Sequence, residues 1–427
     1  MIDVRLIREN PKILKDNIKK KFQNHKLKIV DEVKKKDEEW RKIKSEIDFL
    51  RADRNKVSKE ISSLKKSGKS VSVLMKKAKE IPEKIFKLEE KSGKLEEEIK
   101  LSLRKIPNIM HESVPRGKDA SQNVVAEVIG KPNKIDFEIK NHAELGEKFG
   151  LLNFEESAKT SGNGFYYIYG DLALLNQALI QFALDKMLKG GYVYMETPLM
   201  LRGEVIKNVT DLNDQKNQIY KIEGEDLYLI GTSEHSMIGR YINTMFMEKN
   251  LPIKNTSYSM CFRKEIGSHG IDEKGIFRTH QFNKVEMVVI CKPEESMNFF
   301  DEMKSITIDI FKSLGIPIRI LNICSGDLGD LKHIQVDIEA WSPRKNEYYE
   351  VGSCSNLTDA QARKLKIRVL KANGERYIPH TLNNTAIATS RALVAIMENN
   401  QQKDGRIKIP DALVKYMNGK KFIEKRG

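Results

Sequence analysis

Cysteine is scarce: four residues in 427, at Cys261, Cys291, Cys324 and Cys354, far apart and with no C-x-x-C pair. That spacing argues against both a disulfide framework and a zinc knuckle, and it suggests a reducing, cytoplasmic setting. Long apolar runs are also missing. No stretch reaches eighteen apolar residues, so neither a transmembrane helix nor a membrane partner is expected. The opening "MIDVRLIRENPKILK" lacks the apolar centre of a secretory signal. No internal repeat is visible. What is present is 40% hydrophobic and 32% charged residues, in a chain long enough for more than one domain and a substantial core.

The net charge of +15 is unevenly spread. Residues 1–110 hold 32 Lys/Arg against 19 Asp/Glu, a net +13. This block is either a well-solvated charged helix or a docking surface for a polyanion, whose phosphates such a surface would neutralise. Its apolar residues recur at Val30, Val33, Trp40, Ile43, Ile47, Leu50, Val57, Ile61 and Leu64. A second series runs Leu74, Ala78, Ile81, Ile85, Leu88, Leu95 and Ile99. Steps of three and four make each a heptad seam, and "KKSGKSVS" between them supplies a turn. The expectation is an antiparallel helical hairpin, a coiled-coil arm, with Pro82 bending the second helix or ending a turn there.

"IPNIMHESVPRGKDASQN", residues 106–123, reads as a linker, which places a boundary near 110. Two domains are therefore expected, 1–110 and 111–427. In the second, short strand-like runs such as "LYLIGTSEHSMI" and "VEMVVICK" alternate with helical stretches such as "LNQALIQFALDKMLKG". Few strict strand–helix–strand units occur, which favours an α+β fold with a largely antiparallel sheet flanked by helices.

Within that body, "CFRKE" at 261–265 and "FRTHQFNKVEM" at 277–287 read as neighbouring strands. Alternation would put Cys261, Arg263 and Glu265 on one face, and Arg278, His280, Phe282, Lys284 and Glu286 on one face of the next. Arginine offers a bidentate fork to phosphate oxygens, an aromatic ring can stack on a base, and carboxylates accept from amino groups. The plainer alternative is a hairpin decorated with cross-strand ion pairs.

These two stretches resemble the second motif of class II aminoacyl-tRNA synthetases. The resemblance is to the seryl-tRNA synthetase family in particular, and it extends over essentially the whole chain. "MIDVRLIRENP", "LRADRNKVSKEI", "DFEIKNHAELGE", "GTSEHSM", "YYEVGSCSNLTDAQARK" and "HTLNNTAIATSRALVAIMENN" all carry it. It implies a tRNA-binding arm followed by a class II catalytic domain. The implied reaction is ATP-dependent ligation of L-serine to tRNA(Ser) through seryl-adenylate, releasing AMP and diphosphate, with tRNA(Sec) as a second substrate where the organism has one. A homodimer is implied too, with "GGYVYMETPLMLRGEVI" at the place of the class II dimer motif.

The resemblance also implies residue roles. Arg263 would bridge the serine carboxylate and the α-phosphate, and Arg391 would hold the terminal phosphate; these two carry catalysis. Thr232, Ser233 and Glu234 match the serine-binding triplet. Glu286 would take the ammonium and hydroxyl, and Thr385 the hydroxyl side with Asn383 nearby. Phe282 and Arg278 would wall the adenine and phosphates, with Lys264 and Glu265 in the same stretch. Glu350, Val351, Gly352 and Ser353 would meet ATP, Glu350 and Ser353 also its Mg2+. His280 reads as structural. The chain departs from the family at "GIDE", 270–273, where Ile271 replaces an arginine and Glu273 adds a negative charge, and at Gly352, where serine is common. Two rival readings stand beside this one. A ligase loading a small amino acid onto a carrier protein would typically lack the arm, and an idle RNA-binding relative would have lost the motif arginines.

Overall fold

The computed structural model describes residues 1–210, 218–265 and 275–425. Two compact units divide it, Met1–Ile109 and Met110–Gly427.

The first unit is helical. Asp3 caps α1 (Val4–Glu9) by accepting from the Arg5 N–H at 2.9 Å, and α2 (Pro11–Lys20) begins on a proline, where no intrahelical N–H bond is lost. Then come α3 (Leu27–Lys66) and α4 (Ser72–Leu103). At 1.5 Å per residue α3 reaches roughly 60 Å. Gly68, at φ 71°, takes the left-handed conformation that turns the chain between them. Ion pairs Lys36–Glu98, Glu39–Lys91, Arg51–Glu89 and Asp53–Lys77 join early residues of α3 to late ones of α4, as an antiparallel hairpin requires. The two seams meet: Ile43, Ile47 and Val57 pack with Ile81, Ile85 and Leu95. Of the two outcomes expected at Pro82, an end to the helix does not occur, and α4 runs through it. Proline removes one backbone hydrogen bond, but Ile81 and Ile85 beside it are buried against α3, and that packing outweighs the loss. At the base, Ile7, Leu14 and Ile18 close over Val30, Val33, Ile99 and Leu103.

The second unit is built on an eight-stranded sheet. Its strands are β1 (Val124–Ile129), β2 (Val193–Tyr194), β3 (Ile253–Phe262), β4 (Gln281–Cys291), β5 (Ile318–Asn322), β6 (Ile334–Ser342), β7 (Glu347–Asn356) and β8 (His380–Ala388). They lie in the order β1-β5-β6-β7-β8-β4-β3-β2. Every pairing is antiparallel except β2 with β3. The helices used below are α5 (Gly170–Lys189), α6 (Gly203–Val209), α7 (Ser233–Gly239), α8 (Ser296–Ser313), α9 (Ala360–Lys364) and α10 (Thr389–Asn399).

Alternation along β4 assigns the two faces. Val285, Met287 and Val289 point into the main core with Leu175 and Leu179 of α5, Met303 and Ile310 of α8, and Leu393 and Ile396 of α10. On the opposite face, Val288 and Ile290 join a smaller cluster with Met237 and Ile238 of α7 and Ala362 of α9. Glu286, Lys284 and Phe282 continue that second face beyond the cluster, where two charged side chains follow the apolar ones. Among the described residues no helix is long and apolar enough to cross a membrane.

Candidate active site

Two adjoining cavities open on this polar face. The larger, about 340 Å³, is lined by Thr232, Glu234, Arg263, Lys284, Glu286, Lys332, Asp337, Glu350, Ser353, Asn383 and Thr385, among others. The smaller, about 90 Å³, is lined by Arg263, Glu265, Phe277, Arg278, Phe282, Lys284, Glu350, Val351, Gly352, Thr385 and Arg391 with their neighbours. Arg263, Lys284, Glu350 and Thr385 belong to both and form the wall between them.

Strand register explains the convergence. Glu286 faces Ser257 of β3 on one side and Thr385 of β8 on the other, and Asp337 of β6 faces Ser353 of β7. The Thr385 hydroxyl donates to Glu286 Oε2 at 3.3 Å, and Lys284 Nζ lies 2.5 Å from the same oxygen. Arg263 donates from Nε to the Gly231 carbonyl at 3.2 Å, and its guanidinium stands 5.3 Å from the Phe282 ring centroid. That fixes one cation between the two chambers. Arg391, in the first turn of α10, donates to the Glu350 carbonyl at 2.7 Å and to Glu350 Oε2 at 3.1 Å. Its guanidinium also lies 5.2 Å from the Phe277 ring centroid, and Arg278 meets Glu265 at 2.6 Å. Two guanidinium groups from distant parts of the chain thus flank one cavity, each held by a carbonyl and an aromatic face.

Burial shifts the titrating groups. It pushes Glu234 up to about 7, with Glu286 adding repulsion. It pushes His235 down to about 3, helped by Lys284 and Arg263, so that imidazole stays neutral. Burial, and next Glu350, raises Asp337 above the usual carboxylate range. Crowding by protein raises Glu350 as well, but Arg391 outweighs it and the net shift is downward.

Of the residues singled out from sequence, most line these chambers and two do not. Ser233 is buried and donates to the Ser257 carbonyl at 3.4 Å. Lys264 has its ammonium 5.9 Å from the Tyr220 ring, away from both cavities. The strand reading also needs correction. β3 ends at Phe262 and β4 begins at Gln281, so Arg263, Glu265, Arg278 and His280 lie on irregular backbone rather than on alternating strand faces. Glu265 has φ 46°, which turns the chain out of strand geometry. His280 proves to be a strut: its Nδ1 lies 2.9 Å from the Arg263 carbonyl and 2.9 Å from the Tyr220 hydroxyl. Residues 270–273, with Ile271 and Glu273, lie outside the described residues. At Gly352 an added Cβ would stand 3.3 Å from the Thr385 carbonyl and 3.4 Å from Thr307 Cγ2, so the backbone there is closely packed. Sequence reasoning assigned no role to Asp337, Lys332 or Gln335, which come from the segment before β6 and from β6 itself, nor to Phe277. Phe277 stood in the quoted motif beside Arg278.

Two joined cavities on an antiparallel sheet, with Arg263 between them and Arg391 at the smaller one, are the site of a class II tRNA synthetase core, and residues 218–400 match the family model "tRNA synthetase class II core domain (G, H, P, S and T)". Residues 1–110 match "Seryl-tRNA synthetase N-terminal domain". The chain is 44% identical to a serine--tRNA ligase of Methanocorpusculum labreanum, covering 99% of this chain and 100% of that one. It is likewise 44% identical to one of Pyrococcus furiosus, covering 99% and 98%. A crystal structure of seryl-tRNA synthetase from Pyrococcus horikoshii complexed with ATP matches over 100% of both chains, with TM-score 0.95 and 42% identity. A cytoplasmic serine-tRNA ligase from Naegleria fowleri in complex with AMP matches over 100% and 99%, with TM-score 0.91 and 34% identity. The chain belongs to the seryl-tRNA synthetase family.

Proposed function

We propose that this chain activates L-serine with ATP and passes the seryl group to tRNA(Ser). The observation that carries this reading is the pair of joined chambers sharing Arg263. The serine carboxylate attacks the α-phosphorus of ATP, the α–β anhydride bond breaks, and diphosphate leaves. Negative charge grows on the phosphoryl oxygens, where fixed guanidinium groups lower the barrier. Arg263, shared by both cavities, suits the junction of carboxylate and α-phosphate, and Arg391 suits the far phosphates. Phe282 offers a face for adenine. A terminal ribose hydroxyl of tRNA then attacks the seryl carbonyl and AMP leaves. Orientation supplies much of the rate, and no side chain need transfer a proton.

Serine would sit in the larger chamber among Thr232, Glu234, Glu286, Asn383 and Thr385. A buried site made to hydrogen-bond a hydroxyl rejects alanine and glycine because its own groups would be left unpaired. Glu350, Ser353 and Asp337 are hard oxygen donors within one cavity, the set that would hold Mg2+ beside ATP. That ion would supply charge neutralisation of the phosphates.

The +13 of residues 1–110 supports the hairpin as the tRNA-docking element, because helices carrying clustered Lys and Arg recognise RNA by backbone and shape. Val193 of β2, Leu199 and Met200 are exposed apolar side chains within the stretch that resembles the class II dimer motif, which supports a homodimer. The test of the central reading is amino-acid-dependent exchange of diphosphate into ATP across glycine, alanine, serine, threonine and cysteine. Exchange with serine is expected. Exchange with another of them and none with serine would overturn the reading.

A further inference from the structure

Glu234 is the one carboxylate of the serine triplet, and a side chain with no role assigned above, Gln361, holds it. Gln361 of α9 is 1% exposed, and every polar atom of its amide is engaged. Its Nε2 donates to the Val209 carbonyl at 3.3 Å and to Glu234 Oε1 at 3.0 Å. Its Oε1 accepts from the Thr381 hydroxyl at 3.0 Å. The Val209 carbonyl can only accept, so it fixes which end of the amide is nitrogen. Glu234 Oε1 is then committed as an acceptor, and Oε2 is the oxygen left for a ligand in the chamber that Glu234 lines.

We propose that Gln361 is a positioning residue for the serine pocket, its amide locked between Thr381 of β8 and the end of α6 so that Glu234 presents one fixed oxygen to the serine ammonium. This rests on the serine-activating function above and deepens it. The charged groups facing Glu234 are Glu286 and Lys284 of β4 and Lys332 of the segment before β6, with neutral His235 next to it on α7. Among these the Gln361 hydrogen bond favours the ionised carboxylate, the form an ammonium ligand requires, against burial and Glu286, which favour the neutral acid.

The test compares steady-state diphosphate exchange in wild type, Gln361→Met and Thr381→Val, with KM measured for serine and for ATP from pH 5.5 to 8.5. Serine-dependent exchange by the wild type checks the underlying function separately from the variants. For Gln361→Met the serine KM is expected to rise about tenfold or more while the ATP KM holds, since a buried acceptor loses its donor. The acidic limb of kcat/KM for serine should also move to higher pH, because a hydrogen bond that favoured the anion is gone. Thr381→Val should show the same changes at smaller size. A folded Gln361→Met with serine KM and acidic limb unchanged would overturn the proposal, as would equal losses for serine and ATP. If Gln361→Met does not fold, Thr381→Val decides alone, and an unchanged serine KM there overturns it too.

Discussion

In the hairpin, Arg51 meets Glu89 at 2.7 Å with 53% and 45% of each side chain exposed. In the sheet unit, Lys284 meets Glu286 at 2.5 Å with only 8% and 2% exposed. The two contacts look alike, but water makes them different. Around the hairpin, solvent screens each charge, so a single pair contributes little and the surface acts through the sum of many cations. Beneath the site, each charge has left water and depends on one or two partners, so single residues become decisive. The hairpin therefore tolerates point changes and not deletion, whereas the site tolerates neither.

The sharpest way to break this contrast is to excise about residues 42–93 and close the gap with glycines, leaving the base cluster in place. Charging of tRNA(Ser) should be abolished while serine-dependent diphosphate exchange persists. Full-rate charging by the excised protein would end the docking role of the hairpin. On the other side of the comparison, Arg263→Ala and Arg391→Ala should each reduce exchange by about 10²–10³-fold, the usual cost of removing a charge-stabilising donor. Circular dichroism and melting temperature should hold. If either variant keeps wild-type exchange, that guanidinium does not touch the phosphates.

Next in size is Lys284→Met. It strands Glu286 without its ammonium partner, and denaturant unfolding should show a loss of about 3–5 kcal/mol. Adding Glu286→Leu should return much of that stability without returning activity. A loss below about 1 kcal/mol in the single variant would mean that the pair is solvated like those of the hairpin.

The same contrast explains what the sequence disclosed. A seam of one helix against another is a local, periodic signal, so Ile43, Ile47, Ile81 and Ile85 are readable as a packed stripe. Arg263, Glu286 and Arg391 were readable because their motifs resemble a family, not because their chemistry declared itself. Alternation failed at Arg278 and His280, since the strand begins only at Gln281 and a bend precedes it. Lys332 and Asp337 reach the chamber, and Gln361 reaches Glu234, from segments over 90 residues from Glu234 in sequence. Nothing in "DAQARK" or "GDLKHIQVD" states which carboxylate they will face, because that is set by the order of strands.

A smaller effect should appear with pH. In the unfolded chain Glu234 titrates near 4.5, and burial with Glu286 raises it to about 7 in the fold. The stability this group contributes is therefore fully present below about pH 4.5 and is lost as pH rises through 7. In the absence of serine, the melting temperature of the wild type relative to Glu234→Gln should fall between pH 5 and 8, and saturating serine should reduce that fall. A difference independent of pH would show that Glu234 is ionised throughout.

The smallest effect is the one that completes the comparison. Arg51→Gln, Glu89→Gln and the double variant should each lie within about 0.5 kcal/mol of wild type in denaturant unfolding, and the coupling energy of that cycle should be smaller still in 0.5 M salt. The Arg51 side chain is half in water already, and ordering two long side chains into one geometry offsets most of the Coulomb gain. Losing Arg51 also subtracts one cation from a surface proposed to bind by counterion release, so the salt slope of tRNA binding should shrink by about one unit or less. A coupling energy near that of Lys284 with Glu286 would mean that the hairpin's charges are structural after all, and the division between a screened surface and a buried site would fail at its simplest point.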